Sequence, residues 1–358
     1  MAETNMEGYI ISGIQQIGLG VPDVHLGWMW VRKNFGFDVP IFQDADEAPF
    51  MAKYTGGKVQ SRTATLAVNL MGGGGFEIWQ YTSRKPKGPD FAPQLGDLGI
   101  FTARIKTPDV NNAYSHLQQQ NADILSDIQH DPAGTPFFLV KDLYGNFFQV
   151  IQEETFFMKR PHATGGVAGC IIGVSDIEKA RSVYTDILGY DTVEYDTSGT
   201  FDDLTVLPGG GEPVRRVLLG HSEKRKGAFS NLLGPTKLEL VQSTDRQPKK
   251  IFENRLWGDL GFIHLCFDVR GFDTLEKVCR EKGAPYTVSS GNAFDMGEAS
   301  GPFSYIEDPD GTLIEFVETH KIPINKAKGK YVNLLDRDPE KPLSNITLKA
   351  LRFGRVKD

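Results

Sequence analysis

The sequence predicts an α+β protein made of four copies of one strand–helix–strands unit, grouped in two pairs. Three observations carry this. Stretches of alternating apolar and polar residues are each followed by a helical stretch, and the order restarts near residues 14, 98, 167 and 262. The glycine–aromatic pairs Gly36-Phe37 and Gly189-Tyr190 close the helices of the first and third copies. A linker at roughly 154–165, with Pro161 and a glycine pair, separates the two halves.

The copies follow in order. Residues 1–8 read as a disordered lead. Ile14–Val21 puts Ile17, Leu19 and Val21 on one side and Gln16, Gly18 and Gly20 on the other, the pattern of a half-buried strand. Asp23 is a plausible cap for a helix to about Phe35. Arg62–Leu70 and Gly75–Tyr81 read as strands joined by the glycines at 72–75. The second copy has a strand at Phe101–Thr107, a helix at Asp109–Gln120, and strands at Phe137–Lys141 and Phe147–Gln152. The third has a strand at Val167–Val174, a helix capped by Ser175-Asp176 and running to Leu188, and strands at Thr205–Leu207, Arg216–Leu219 and Lys237–Gln242. The fourth has a strand at Phe262–Val269, a helix near Phe272–Lys282, a short strand near Pro285–Ser289, and strands at Ser304–Glu307 and Thr312–Thr319. The expected domains are 9–153 and 166–320, with a basic, proline-containing tail over 321–358 that wraps the surface.

Length and composition bound the function. A chain of 358 residues can bury the core of two domains. A net charge of −7 argues against a general nucleic-acid binder. No apolar run reaches the ~18–20 residues of a membrane span. The polar start has no signal-peptide pattern. Cys170, Cys266 and Cys279 form no CxxC pair, so the expected setting is reduced and cytoplasmic. The sequon at Asn345 reads as chance. The glycine runs at 72–75 and 209–211 read as hairpin loops, since neither leads into Lys-Ser/Thr and a helix.

Within this fourfold order, Ile263–Val269 (IHLCFDV) and Asp308–Glu315 (DPDGTLIE) resemble the vicinal oxygen chelate superfamily. That family contains glyoxalase I, extradiol dioxygenases and bleomycin-resistance proteins, and the resemblance covers about 10–320. It implies βαβββ modules, paired into curved mixed sheets around a metal cleft. It also implies one ligand on a module's first strand and a Glu near the end of its last strand. Carried over by position, module one offers Gln16 and Glu77, module two Thr102 and Gln149, module three Gly169 and Glu239, and module four His264 and Glu315. Modules pair either within each half or across the halves. The crossed pairing would unite Gln16, Glu77, His264 and Glu315, and leave Thr102, Gln149, Gly169 and Glu239 as a set without a metal. Glu239 is expected to pair electrostatically, with Arg104 as the candidate.

Strand alternation supports the same ligands. Glu77, Glu315 and His264 each sit between residues of the apolar stripe, so they face away from the helices. An imidazole, two carboxylates and an amide oxygen suit a divalent ion such as Zn, Mn, Ni or Fe. Glu315 first, and Glu77 second, are the candidate proton-moving groups. Trp79, Tyr81 and Cys266 share these faces and are candidate walls of a substrate cleft; Trp79 and Tyr81 read equally well as barrel filling. Glyoxalase I proper carries an Arg four residues after its first ligand and an Asn four after its first Glu. Here Gly20 and Tyr81 stand there, so glutathione dependence is not expected.

The expected function is a metal-dependent isomerase, epimerase or lyase acting on a small substrate with adjacent oxygens. The rival readings are an extradiol-type or keto-acid dioxygenase and a non-catalytic small-molecule-binding protein. Partners are a small-molecule substrate, with no nucleic acid and no membrane, and oligomerisation is left open.

Overall fold

The computed structural model describes residues 8–291, 301–325 and 330–357. Apart from Gly8, the expected lead lies outside the described residues. Module one comprises β1 (Ile10–Gly20), α1 (Val24–Phe35), β2 (Val39–Glu47), β3 (Ser61–Val68) and β4 (Gly75–Tyr81). Module two comprises β5 (Gly99–Thr107), α2 (Val110–Gln119), the short β6 (Asp123–Ile124) and β7 (Gln129–His130), β8 (Pro136–Lys141) and β9 (Phe147–Gln152). Module three comprises β10 (Val167–Gly173), α3 (Ile177–Tyr184), β11 (Thr192–Gly199), β12 (Val214–Gly220), α4 (Ser230–Leu233) and β13 (Lys237–Ser243). Module four comprises β14 (Gly261–Arg270), α5 (Phe272–Glu281), β15 (Val288–Ser289), β16 (Phe303–Glu307) and β17 (Leu313–Val317). The tail adds β18 (Lys321–Asn325), β19 (Lys330–Asn333) and α6 (Asn345–Lys349).

Local chemistry sets the helix ends. Asp23 caps α1 by accepting from the His25 and Leu26 amides at 2.9 and 3.0 Å. Asp109 and Asp176 do the same for α2 and α3. Gly36 ends α1 with a φ of 69°, a left-handed conformation that suits glycine. The regular part of α3 stops at Tyr184, and 185–188 continue as turns rather than helix.

Among the module strands longer than two residues, two escape the sequence pattern. β2 and β11 are the outer edges of their sheets. Each is rich in polar residues, and β2 carries Pro40, features that edge strands tolerate and that erase a clean alternation. Conversely, Thr205–Leu207 is a turn, not a strand. It follows a 3-10 turn at Asp202–Leu204, and its backbone closes locally, Leu207 N–H donating to the Leu204 carbonyl at 2.9 Å. Leu207, with Leu204 before it, fills a sheet face instead of pairing.

The strand order decides where the site lies. One sheet runs β15-β16-β17-β14-β1-β4-β3-β2, and the other β11-β12-β13-β10-β5-β9-β8-β6. Each sheet therefore takes one module from each half of the sequence. In the first, β1 and β14 pair antiparallel at the centre, with Gln16 opposite Cys266 and Gly18 opposite His264. Outward from that pair, β4 lies parallel to β1 and β17 parallel to β14.

Both sheets turn their aliphatic stripes to one shared core. Ile17, Phe76, Ile78, Leu265, Phe267 and Phe316 meet apolar residues of the helices there. Removing that apolar area from water, at roughly 25 cal/mol per Å2, is the main force holding the two sheets together. The opposite face of the first sheet carries a separate aromatic cluster, and the opposite face of the second an aliphatic one. The tail is tied down by Arg355, whose Nη2 lies 2.5 Å from Asp38 Oδ2.

Candidate metal centre

The period of two that buries Ile78, Leu265 and Phe316 turns Glu77, His264 and Glu315 to the other face. The β1–β14 pairing then brings the distant β4 and β17 to either side of His264. His264 Nε2 lies 3.0 Å from Glu315 Oε2 and 3.5 Å from Glu77 Oε2. One ligand atom from each residue lies within 4.8 Å of the others. His264 is fully buried, and the Glu77 and Glu315 side chains are 15% and 10% exposed.

This convergence is not explained by hydrogen bonding. The His264–Glu315 approach misses hydrogen-bond alignment, and both His264 nitrogens and Glu315 Oε2 are buried without a partner. Gln16 Oε1 is likewise a buried acceptor without a donor. Gln16 lies on the face of β1 that carries Gly18. A Cβ added at Gly18 would fall 2.5 Å from His264 Cε1 and 2.7 Å from Nδ1. The glycine is thus required because the imidazole lies flat against β1. Buried polar atoms almost always find partners. An imidazole nitrogen and two carboxylates, with an amide oxygen on the same face, form a donor set that fits a divalent ion.

Electrostatics fit as well. Burial pushes the Glu77 carboxyl up to about 7; His264 opposes the rise and Glu315 adds to it. Burial disfavours a charged His264, but Glu315 and then Glu77 outweigh it and raise its proton affinity. The site holds protons tightly when no cation is present, as two crowded carboxylates must.

The comparisons with known proteins bear on the fold. The family model described as Glyoxalase/Bleomycin resistance protein/Dioxygenase superfamily matches residues 162–316. The match spans modules three and four, and that stretch is similar to the superfamily. No curated protein matches the sequence. Among solved structures, a putative dioxygenase from Bacillus subtilis is similar, with 12% identity, 97% of each chain covered and a TM-score of 0.57. Glyoxalase I from Zea mays has 13% identity, with 86% of this chain and 92% of that chain covered, and a TM-score of 0.51. A point mutant of that maize enzyme gives 12% identity, coverages of 87% and 94%, and a TM-score of 0.52. At these identities the likeness extends to the fold alone.

The surroundings of the triad are aromatic. Trp79 and Tyr81, expected as cleft walls or filling, are almost fully buried, with ring centroids 4.7 Å apart. Sequence reasoning missed two neighbours. Tyr305 is set edge-on to His264, centroids 5.6 Å apart, and stands opposite Glu315 across β16–β17. Its strand alternation could have revealed it. Trp257 lies nearly parallel to the imidazole, at 10° and 6.3 Å between centroids, and 4.7 Å from Trp79. It comes from the connection before β14, where no periodicity marks it. Its backbone carbonyl accepts from the Tyr81 hydroxyl, and its indole Nε1 is buried without a partner. Cys266 is buried, with Sγ 3.7 Å from Gln15 Oε1. Burial and then Glu315 push its thiol well up, so it is no nucleophile.

The second sheet brings Thr102, Gln149 and Glu239 to full burial. Gly169 has a φ of 137°, and a Cβ there would fall 1.7 Å from the Lys237 carbonyl oxygen. No side chain could serve as a ligand from that position. Glu239 pairs with Arg216 at 2.6 Å rather than with Arg104. Arg216 lies on β12, outside the positions that the module pattern singles out.

Proposed function

We propose that Glu77, His264 and Glu315, with Gln16 beside them, hold one divalent ion, and that the protein isomerises, epimerises or cleaves a small substrate with adjacent oxygens. The observation that carries this is the convergence of two carboxylates on one buried, unpartnered imidazole. When bound, the ion would polarise the substrate's oxygens as a Lewis acid. The chain's own task is to move a proton. A carboxylate at this site can take a proton from the carbon beside a substrate carbonyl and return it to the neighbouring atom. Glu315 is the first candidate for that task and Glu77 the second. Trp79, Trp257 and Tyr305 keep water from the site and give it apolar walls.

A set with one histidine and two carboxylates differs from the two-His, one-carboxylate arrangement that suits iron and dioxygen. The substrate is not a glutathione adduct held from position 20. A Cβ at Gly20 would fall 2.0 Å from the Asp259 carbonyl oxygen, so no Arg fits there.

The test is proton exchange. Small α-hydroxy ketones and aldehydes would be incubated with metal-loaded protein in D2O and followed by NMR. The reading expects deuterium at the carbon beside the carbonyl, abolished by chelator and by His264→Ala. Oxygen consumption without exchange would replace it with the dioxygenase reading, and neither signal with undiminished ligand binding would leave a binding protein.

A further inference from the structure

A cleft of about 490 Å3 lies between α2 and the linker that joins the two halves of the sequence. One wall is the outer face of α2. Val110, Ala113 and Leu117 enter the shared core, which turns Asn112, His116 and Gln119 outward at the helical spacing. The other wall is the linker from Lys159 to Ala163. Neither the triad nor its aromatic neighbours line this cleft, so the two sites share no wall.

The linker wall is tied in place. Thr107 Oγ1 donates to the Ala163 carbonyl at 2.8 Å, and the Gly165 N–H donates to the Lys106 carbonyl at 2.7 Å. His162 Nε2 lies 3.0 Å from Asp38 Oδ2, the oxygen that also anchors Arg355 of the tail. These bonds hold the linker beside the strand that leads into α2, so the gap between linker and helix is set by the fold.

The lining is basic on an acidic chain. The net charge of the chain is −7, yet the cleft is lined by Lys159, Arg160, His116 and His162 and by no carboxylate. Among the described residues, neither Lys159 nor Arg160 has an ion-pair partner. The nearest acidic groups are committed elsewhere. Asp38, behind His162, is buried and held by His162 and Arg355. Asp109 caps α2, accepting from the Asn111 and Asn112 amides. A concave surface with one sign of charge concentrates its field on whatever enters it.

This lining suits an anion of more than one charge. A phosphate monoester carries about two negative charges near neutrality and three acceptor oxygens. Arginine can meet it with two parallel N–H bonds, and lysine adds a point charge. The volume of 490 Å3 lies within the range of about 300–1,000 Å3 for sites that hold small molecules, more than a bare phosphate fills. The side-chain amides of Asn112 and Gln119 bond to no other residue among the described residues, so they are available to hydroxyl groups.

We propose that the cleft between α2 and the linker binds a phosphorylated small polyol. Lys159 and Arg160 hold its phosphate, and Asn112 and Gln119 hold its hydroxyls.

The full chain would be stripped of metal and dialysed free of chelator, so that phosphate on a metal cannot mimic the result. Titration calorimetry would use glucose 6-phosphate, inorganic phosphate, glucose, and sodium chloride at matched ionic strength. Saturable binding of glucose 6-phosphate is expected, with weaker binding of inorganic phosphate and no response to glucose or chloride. Gln119→Glu puts a carboxylate in the cleft, and Lys159→Ser combined with Arg160→Ser removes its charge. Each should weaken binding at least about tenfold, the loss of a charged hydrogen bond. All three positions are exposed, so both variants should keep the wild-type Tm. Glu77→Gln, and Lys58→Gln at an exposed lysine outside the cleft, should leave binding intact. No saturable binding of either phosphate, or binding that survives in the cleft variants or is lost equally in Lys58→Gln, overturns the proposal. Inorganic phosphate binding as tightly as glucose 6-phosphate overturns its polyol part.

Discussion

Glu77→Gln in the metal-free protein should reverse the usual effect of losing a site residue. Burial moves the Glu77 carboxyl from an ordinary 4.5 to about 7. Each tenfold change in proton affinity is about 1.4 kcal/mol, so the ionised form costs the folded state about 3 kcal/mol. A raised value means that the folded chain binds the proton more tightly than the unfolded chain. The Glu77 contribution is therefore favourable below about 4.5 and is lost as pH rises to about 7. A glutamine has no such slope. In chelator, denaturant unfolding from about pH 5 to about pH 9 should show wild type losing about 3 kcal/mol more than the variant. Some slope persists in both, because Glu315 still raises His264. With divalent metal the order inverts, since wild type gains binding free energy that the variant loses. Superimposable pH slopes for the two metal-free proteins would refute the reasoning.

Other substitutions probe separate links. Gly18→Ala should displace the His264 ring, whose atoms lie under 3.0 Å from the new Cβ. Calorimetry should then show metal affinity down by at least about tenfold, as for altered ligand orientation, with the far-UV spectrum unchanged. Arg355→Ala leaves the buried Asp38 carboxylate with His162 alone, 3.0 Å away, and should cost about 1–3 kcal/mol near neutrality in urea unfolding. Burial would raise Asp38, but His162 and Arg355 outweigh it and lower it. The stabilisation is thus present above the ordinary carboxylate range and vanishes in acid, where the two proteins should unfold alike.

Much of the fold was legible because alternation and caps are local. Glu77, Glu315 and His264 each sit in an apolar stripe that fixes which way they point, and Asp23, Asp109 and Asp176 announce the helices. The rest depends on contacts between distant segments. Trp257 reaches the imidazole from a connection without periodicity. Arg216 outcompetes Arg104 for Glu239 because the β12–β13 pairing puts it within reach. In the sequence Gly18 is only one step of an alternating strand, yet it is the surface on which His264 rests. The edge strands β2 and β11 were hidden by the polar residues that protect an edge.

The central claim is that one ion joins the two ends of the chain. Anomalous diffraction from crystals soaked in manganese or zinc tests it most directly. One ion bonded to Glu77, His264 and Glu315 is the predicted result. An ion held instead at Glu239, or none at the triad in protein shown to be folded, would contradict the account.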